Sequence, residues 1–198
     1  MLTDVKTHYD MLIDEGNDPV YDSELLKNYM DRWDGDVFIQ NMQLTTDKTV
    51  LEIGIGTGRL ALKVAPKCKT LYGIDISPKT IKRSKDNLKE YKNISLICDD
   101  FMIHNFDKKF DVIYSSLTFM HIEDKQRAIN KVASLLNNAG IFVLSIDKNQ
   151  SDYIDMITRK IKIFPDTPDK TSEYIVLSGL SIIHKYETEI GIIFVTKK

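Results

Sequence analysis

The stretch from Thr49 to Ala65 reads TVLEIGIGTGRLALKVA, and this order of apolar, glycine-rich and amphipathic residues predicts a strand, a tight loop and a helix. Glycine stands at positions 54, 56 and 58, and one carboxylate, Glu52, lies inside the apolar run that precedes them. Glycine permits a positive φ and lets a ligand lie against bare backbone. Three alternating glycines therefore predict a ligand-binding loop, and a tight turn that binds nothing is the alternative.

Strand-like and helix-like patterns alternate after this loop. Further strands are predicted at 70–76, 94–98, 110–115, 141–146, 181–187 and 191–196. Helices are predicted at about 58–65, 78–88, 123–136, 151–160 and 171–178. Such alternation predicts an α/β fold, with a mostly parallel seven-stranded sheet and helices on both faces. The last two strands are joined too closely for a parallel crossover, so one antiparallel strand is expected near the edge.

The first 46 residues are predicted to be helical. In residues 22–33, DSELLKNYMDRW, apolar side chains recur at helical spacing behind a cap formed by Asp22 and Ser23. A short helix is predicted in DVFIQNMQL, residues 36–44. At this spacing Trp33 is either a core residue or the wall of a pocket.

The totals predict one globular domain, because 198 residues with 42% hydrophobic content suffice for one sizeable core. A net charge of −2 provides no strong field toward nucleic acid or an anionic membrane. No secretory signal and no apolar run of ~20 residues is visible, so a cytoplasmic location is expected. Cys68 and Cys98 are too few for a disulfide framework or a metal site, and are expected to be small buried residues.

Three carboxylates are expected at the ends of neighbouring strands: Glu52, Asp75 and Asp99. In open α/β sheets, ligands bind beyond the carboxyl ends of the strands. A pyrophosphate would be repelled there, and the spacing G-x-G-x-G differs from the dinucleotide pattern G-x-G-x-x-G. Carboxylates only accept hydrogen bonds, so they suit a ligand with an ammonium, hydroxyls and an amino group. S-adenosylmethionine carries all of these groups.

The ordered motifs resemble those of the class I S-adenosylmethionine-dependent methyltransferases. VLEIGIGTG is similar to their glycine-rich motif, LYGIDIS to the ribose-binding strand end and LICDDF to the adenine-binding motif. FDVIYSSLTFMHI and LLNNAGIFVLSI resemble the segments of the fourth and fifth strands, and the resemblance covers about 50–146. LLNNAG lacks the proline and paired glycines common there. Met120 stands where many small-molecule relatives carry a first histidine, which leaves only His121.

The resemblance implies a Rossmann-like core over 47–198, a helical lid over 1–46 and S-adenosylmethionine as cofactor. The implied cofactor residues follow the ends of four strands: Glu52, Gly54, Gly56, Gly58, Asp75, Ile76, Asp99, Asp100, Phe101 and Ser115. Glu52 would help to hold the ammonium, Asp75 the ribose hydroxyls and Asp99 the adenine amino group. Asp75 is expected to have few partners within the protein. A helix or turn cap is the alternative role for Asp99 and Asp100.

The implied chemistry is in-line displacement at the methyl group, for which a protonated acceptor needs a general base. His121 is the base candidate, and a local backbone contact at the start of a helix is its alternative. Tyr9 and Trp33 are candidates for contact with the acceptor. The absence of a D/N-P-P-Y-like run and of a suitable nucleophilic cysteine argues against methylation of base amines and of cytosine C5. With no inserted recognition domain, a small-molecule acceptor is favoured over RNA or protein. The rival classes are a non-catalytic cofactor-binding subunit and a nicotinamide-dependent oxidoreductase, the latter opposed by Glu52 and the glycine spacing.

Overall fold

A computed structural model describes residues 1–198. Seven strands form the central sheet: β2 (Thr49–Ile53), β3 (Thr70–Asp75), β4 (Ile94–Cys98), β5 (Phe110–Ser116), β6 (Leu136–Asp147), β9 (Ser181–Glu187) and β10 (Gly191–Lys197). Their order across the sheet is β4-β3-β2-β5-β6-β10-β9. Strand β10 is antiparallel to both of its neighbours, and the other pairs are parallel. The predicted sheet, with one reversed strand near its edge, is confirmed.

Seven α-helices accompany the sheet: α1 (Val5–Asp14), α2 (Glu24–Met30), α3 (Gly35–Gln40), α4 (Ala61–Val64), α5 (Pro78–Asn87), α6 (Lys125–Leu135) and α7 (Pro168–Leu177). Short 3-10 turns follow at Ala65–Lys67 and Phe119–His121. Helix α5 begins as the sequence predicts, because the Ser77 hydroxyl accepts a hydrogen bond from Thr80 N at 3.0 Å. None of the helices is long and apolar enough to cross a membrane.

Apolar side chains pack on both faces of the sheet. On one face, α6 and α7 cover a cluster that includes Phe110 and Phe142. On the other face, α4 and α5 cover a cluster to which the N-terminal segment contributes Phe38 of α3. Phe38 is fully buried and meets the ring of Tyr114 edge-on, with centroids 6.2 Å apart. The N-terminal segment is thus part of the hydrophobic core.

The helix predicted at 151–160 is wrong. Strands β7 (Tyr153–Asp155) and β8 (Lys160–Lys162) form an antiparallel hairpin here, and β1 (Leu2–Thr3) pairs with β8 in parallel. Isoleucines at 154, 157 and 161 imitate helical spacing. In the structure Ile157 is fully exposed at the turn, whereas Ile161 is fully buried between two exposed lysines. That alternation has the period of a strand.

The N-terminal segment is held to the core by ion pairs. Asp14 pairs with Lys79 of α5 at 2.5 Å and Asp18 with Arg83 at 3.0 Å, while the carboxylate of Glu15 faces Arg159 in the β7–β8 hairpin. Helix α2 itself has no buried residue.

Of the two cysteines, Cys68 is buried as expected, but Cys98 at the end of the edge strand β4 is exposed, which corrects the sequence-based expectation.

Candidate cofactor and acceptor site

A cavity of about 510 Å³ lies where β2, β3, β4 and β5 end. Its volume falls within the range of roughly 300–1,000 Å³ that is usual for small-molecule sites. It brings together most of the residues that the sequence singles out: Tyr9, Glu52, Gly54, Gly56, Asp75, Ile76, Asp99, Asp100, Phe101 and His121. Side chains that are distant in sequence therefore face one space.

Three predicted site residues lie outside the cavity wall. Gly58 packs against Leu88, and a Cβ atom at this glycine would lie 2.9 Å from the leucine side chain. Ser115 is fully buried and its hydroxyl donates to Ile53 O at 2.9 Å. Trp33 packs edge-on against Tyr29, with centroids 5.1 Å apart. Ser116, the residue after Ser115, lines the cavity in its place. Met30, three residues before Trp33, does the same for Trp33.

The glycine loop depends on positive φ angles at Gly54 and Gly56, which are +76° and +57°. Gly54 N donates to Ile74 O at 2.9 Å, so the loop is bonded to the end of β3. The side chain of Thr118 occupies the space that a Cβ atom of Gly54 would need, whereas the corresponding space at Gly56 is open. Gly54 therefore allows close packing, and Gly56 leaves the wall of the cavity bare.

The Asp75 carboxylate connects the glycine loop to the start of α5. Gly56 N donates to Oδ2 and Ser77 N donates to Oδ1, each at 3.0 Å. Burial raises the pKa of Asp75, and these two donors oppose the shift. The expectation that Asp75 has few partners within the protein is corrected. Each oxygen retains a second lone pair, so the carboxylate can still accept hydrogen bonds from a ligand.

Glu52 lies at the base of the cavity. Its Oε2 accepts a hydrogen bond from the Tyr114 hydroxyl at 2.7 Å. Burial raises the pKa of Glu52 to about 8, although Tyr114 and the guanidinium of Arg59 act in the opposite direction. Since water is excluded here, the carboxylate gains its charge most easily when a cation is beside it.

Arg59 is a cavity residue that the sequence analysis does not identify. Its guanidinium binds the Asp34 carboxylate through both oxygens and reaches Asp31 at 3.1 Å. The hydroxyl of Ser116 also donates to Asp34, at 2.7 Å. Asp34 is almost fully buried, so this network ties the segment after α2 to the glycine loop and to β5. A sequence signal exists in retrospect, because Arg59 is the first cation after the loop and DRWDG, residues 31–35, contains its two acidic partners.

Asp99 and Asp100 form turns at the end of β4 and also line the cavity. Asp100 N donates to Asp99 Oδ1 at 2.8 Å, and Met102 N donates to Asp100 Oδ1 at 2.7 Å. The second oxygen of Asp99 is 2.8 Å from Nδ1 of His104, and this contact lowers the pKa of Asp99. The turn role therefore coexists with exposure to the cavity.

Tyr9 and His121 form a hydrogen-bonded pair in the cavity wall. The Tyr9 hydroxyl lies 2.8 Å from Nε2 of His121, and Nδ1 of the same ring is buried without a partner. Burial raises the pKa of Tyr9. Burial also lowers the pKa of His121 to about 4, with further contributions from His8 and Lys125. At neutral pH both groups are uncharged; the imidazole has a lone pair for a proton, but its lowered pKa makes it a weak base.

Residues 51–144 match the family model described as a methyltransferase domain. The match covers 94 of the 198 residues and supports the resemblance to the class I S-adenosylmethionine-dependent methyltransferases. It is 34% identical over 105 residues to malonyl-[acyl-carrier protein] O-methyltransferase 1 of Ilyobacter polytropus, covering 52% of this chain and 39% of that protein. It is 29% identical over 140 residues to the ubiquinone biosynthesis O-methyltransferase of Coxiella burnetii, covering 69% and 60%. The chain thus spans about two fifths to three fifths of these relatives.

Solved structures share the fold of this chain at low sequence identity. The magnesium protoporphyrin IX methyltransferase of Synechocystis has a TM-score of 0.77 at 17% identity, over 98% of this chain and 95% of that one. The [4+2]-cyclase SpnF has the same TM-score at 16% identity, over 98% and 94%. Because one of these enzymes is a cyclase, the fold by itself does not define the reaction.

The residues of the cavity fit S-adenosylmethionine, the cofactor of the methyltransferases that the chain resembles. Glu52 is a buried acceptor suited to an ammonium, and Asp75 is a partly buried acceptor suited to hydroxyl donors. The open backbone at Gly56 leaves room for a ligand between them. A pyrophosphate would meet these same carboxylates at close range. The repulsion between like charges therefore disfavours NAD.

Alanine at Gly54 is expected to weaken S-adenosylhomocysteine binding about tenfold or more and to lower the melting temperature. The new methyl group would overlap Thr118, in addition to a backbone strain of ~1–2 kcal/mol at positive φ. Gly16→Ala is the control, since Gly16 also has a positive φ but open space around it. Calorimetry and thermal melting monitored by circular dichroism test this. Equal affinity for the two variants would contradict the close-packing role of Gly54.

Binding of S-adenosylhomocysteine at pH 7 is expected to release a proton from Glu52. The empty site holds Glu52 with a pKa of about 8, and the ligand ammonium lowers that pKa because it favours the carboxylate. Affinity should therefore rise between about pH 6 and 8, by up to tenfold per unit, and level off above the pKa of the empty site. Calorimetry in two buffers of different ionisation enthalpy measures the proton release. Glu52→Gln should remove both effects, and an unchanged pH slope in that variant would contradict the assignment.

Proposed function

We propose that the protein transfers a methyl group from S-adenosylmethionine to a hydroxyl of a small molecule, with Tyr9 and His121 accepting the hydroxyl proton. The observation that carries this proposal is the 2.8 Å contact between the Tyr9 hydroxyl and Nε2 of His121, in the wall of the same cavity as Glu52 and Asp75. A neutral imidazole behind a phenol is an arrangement that can remove a proton.

In this proposal each part of the cavity has a separate task. The cofactor supplies the methyl group, which its positive sulfur makes electrophilic. Glu52 holds the ammonium, Asp75 the ribose hydroxyls, and the Asp99 turn the adenine. The acceptor proton passes to the Tyr9 oxygen as the Tyr9 proton moves to Nε2 of His121. Holding acceptor and methyl group in line can contribute about 7–11 kcal/mol in well-arranged cases.

The surroundings of Tyr9 and His121 support a small acceptor with apolar parts. The cavity wall includes apolar side chains from the N-terminal segment and from the loop after β5: Val5, Pro19, Met30, Leu117 and Ile122. Relatives named as O-methyltransferases of malonyl-[acyl-carrier protein] and of ubiquinone biosynthesis agree with an oxygen acceptor. Residues 1–46 carry ten acidic and three basic side chains, which disfavours a phosphate backbone beside the cavity.

Residues 1–46 act as a lid of one methyltransferase domain in this proposal. Tyr9 of α1 reaches His121, and Pro19 before α2 and Met30 at its end line the cavity, whereas α3 packs in the core. Ion pairs hold this segment before and after α2, at Asp18 and at Asp34. A lid that supplies Tyr9 would complete the site only when it is closed.

A screen for product formation tests the proposed function. Calorimetry first compares S-adenosylhomocysteine with NAD, and tighter binding of NAD would refute the cofactor assignment. Mass spectrometry then follows S-adenosylhomocysteine formation with phenols, catechols, carboxylic acids, thiols and amines as acceptors. Turnover of hydroxyl compounds supports the proposal. Cofactor binding without turnover of any acceptor would favour a non-catalytic subunit, and turnover of amines or thiols alone would refute the hydroxyl acceptor.

A further inference from the structure

A buried ion pair lies behind His121, outside the cavity wall. Lys125 is the first residue of α6, and Asp166 belongs to the segment between β8 and α7. Their side chains are only 8% and 5% exposed, and Lys125 Nζ lies 3.1 Å from Asp166 Oδ1. Neither residue lines the cavity, so the methyl-transfer chemistry gives the pair no direct role.

Both chain segments of the pair hold the 3-10 turn that carries His121. The ammonium of Lys125 donates to Phe119 O. The segment that contains Asp166 donates through Phe164 N to the next carbonyl, Met120 O, at 2.7 Å. Two successive carbonyls of the turn are therefore bonded from outside the turn. The ion pair joins the two segments that make those bonds.

Stability alone is a weak explanation for this pair. Removing two charges from water costs several kcal/mol per ion, and apolar pairs of similar size often stabilise a fold equally well. A buried pair that also bonds a functional turn is better explained by the geometry it imposes. We infer that Lys125 and Asp166 are positioning residues that hold the Phe119–His121 turn so that the His121 imidazole meets Tyr9 in the cavity.

Charges around the imidazole agree with this role. Tyr9 of α1 contacts His121, and the charges of His8 and Lys125 act on its ring. The charged residues Glu123, Asp124 and Arg127 line the same cavity. The Lys125 ammonium is one of the groups that lower the pKa of His121. The pair would thus orient the ring, and its ammonium adds to the effect of burial, which is the main cause of the lowered pKa. The catalytic part of this inference rests on the proposed function, whereas the positional part does not.

The test replaces the pair with apolar residues, in the variant Lys125→Met with Asp166→Leu. The chain has four histidines, so ring signals in NMR spectra are few and His121→Asn identifies the relevant one. We expect the pKa of His121 to rise, because the Lys125 ammonium adds to the lowering that burial produces. Affinity for S-adenosylhomocysteine should stay within about threefold of wild type, and kcat should fall about tenfold with KM little changed.

The control is a pair of exposed charges in the neighbouring hairpin, Asp155 and Lys160, which lie 2.8 Å apart. Asp155→Leu with Lys160→Met should leave the His121 signal and kcat at their wild-type values. Lys125→Arg retains the cation and should restore a low pKa. If the apolar double variant does not fold, Lys125→Gln with Asp166→Asn serves instead, because it keeps hydrogen-bonding groups without the charges.

The NMR result separates this inference from the proposed function, because it needs no acceptor. An unchanged His121 titration in the folded double variant would overturn the positioning role. A raised pKa of His121 combined with full activity of His121→Ala would retain the positioning role and refute His121 as the base.

Discussion

Replacing His121 with alanine is expected to lower kcat by about 10²–10⁴-fold while S-adenosylhomocysteine affinity stays within about twofold. The variant removes the only proton acceptor in direct contact with the Tyr9 hydroxyl, at 2.8 Å. Cofactor contacts are made by other residues, so binding should be retained. Initial rates with the acceptor found in the screen, together with calorimetry, separate the two quantities.

Tyr9→Phe provides a second measurement of the same pair. It keeps the ring but removes the hydroxyl that lies between the acceptor and the imidazole, so kcat should fall by about tenfold or more. His184→Ala is the matched control, because His184 is exposed on the edge strand β9, away from the cavity. Activity of His121→Ala within about threefold of the control would show that His121 makes only a local structural contact.

The same geometry predicts the acid side of the pH profile. Burial and the charges of His8 and Lys125 lower the pKa of His121 to about 4. The ring is therefore neutral across the physiological range and becomes protonated only in acid. A fall of kcat that follows His121 should begin below about pH 5, and the profile of His121→Ala should lack it.

Asp75→Ala is expected to lower cofactor affinity by roughly ten- to a thousandfold and also to lower the free energy of unfolding. Hydrogen bonds to a charged group are worth about 1.5–3 kcal/mol each. The substitution removes the acceptor for Gly56 N and for Ser77 N, which are both 3.0 Å from the carboxylate. The ribose would lose its acceptor and the glycine loop would lose its connection to α5. Calorimetry and chemical denaturation measure the two effects.

Asp86→Ala is the control, because Asp86 lies on the exposed side of α5. It should change neither the cofactor affinity nor the free energy of unfolding. Asp75→Asn should destabilise the protein almost as much as alanine, because its NH₂ group would face one of two backbone N–H donors. A large fall in stability with cofactor affinity intact would mean that Asp75 serves only as a link between the loop and α5. Loss of affinity with unchanged stability would mean that its two backbone bonds matter little.

Local patterns in the sequence were sufficient for the sheet and for the loop at its edge. The run before Gly54, the alternation of apolar strands with capped helices and the short connection before β10 predict the observed topology. These features depend on neighbours a few residues apart, and a strand or a cap has the same signature in any fold. Glu52, Asp75 and Asp99 follow from the same rule, since parallel strands bring their carboxyl ends to one edge.

Side-chain direction at that edge was harder to predict. Successive residues of a strand point to opposite faces, so Ser115 is buried against Ile53 while Ser116 reaches the cavity. An error of one residue therefore exchanges a core position for a site position. The hairpin at 153–162 shows a similar limit, because its isoleucine spacing suits a helix and its pairing partner, β1, begins the chain.

The sequence by itself determined the seven-stranded sheet, the glycine loop and the three carboxylates, all of which arise from contacts between near neighbours and from strand order. Only the tertiary structure decided the pairs that complete the site: Tyr9 with His121, 112 residues apart, Arg59 with Asp34, and Lys125 with Asp166. Each pair joins elements that meet only after the core has formed. Their polar side chains follow no periodic pattern in the sequence that would reveal the pairing. Their contacts become strong only when folding buries them, because the interior has a low dielectric constant.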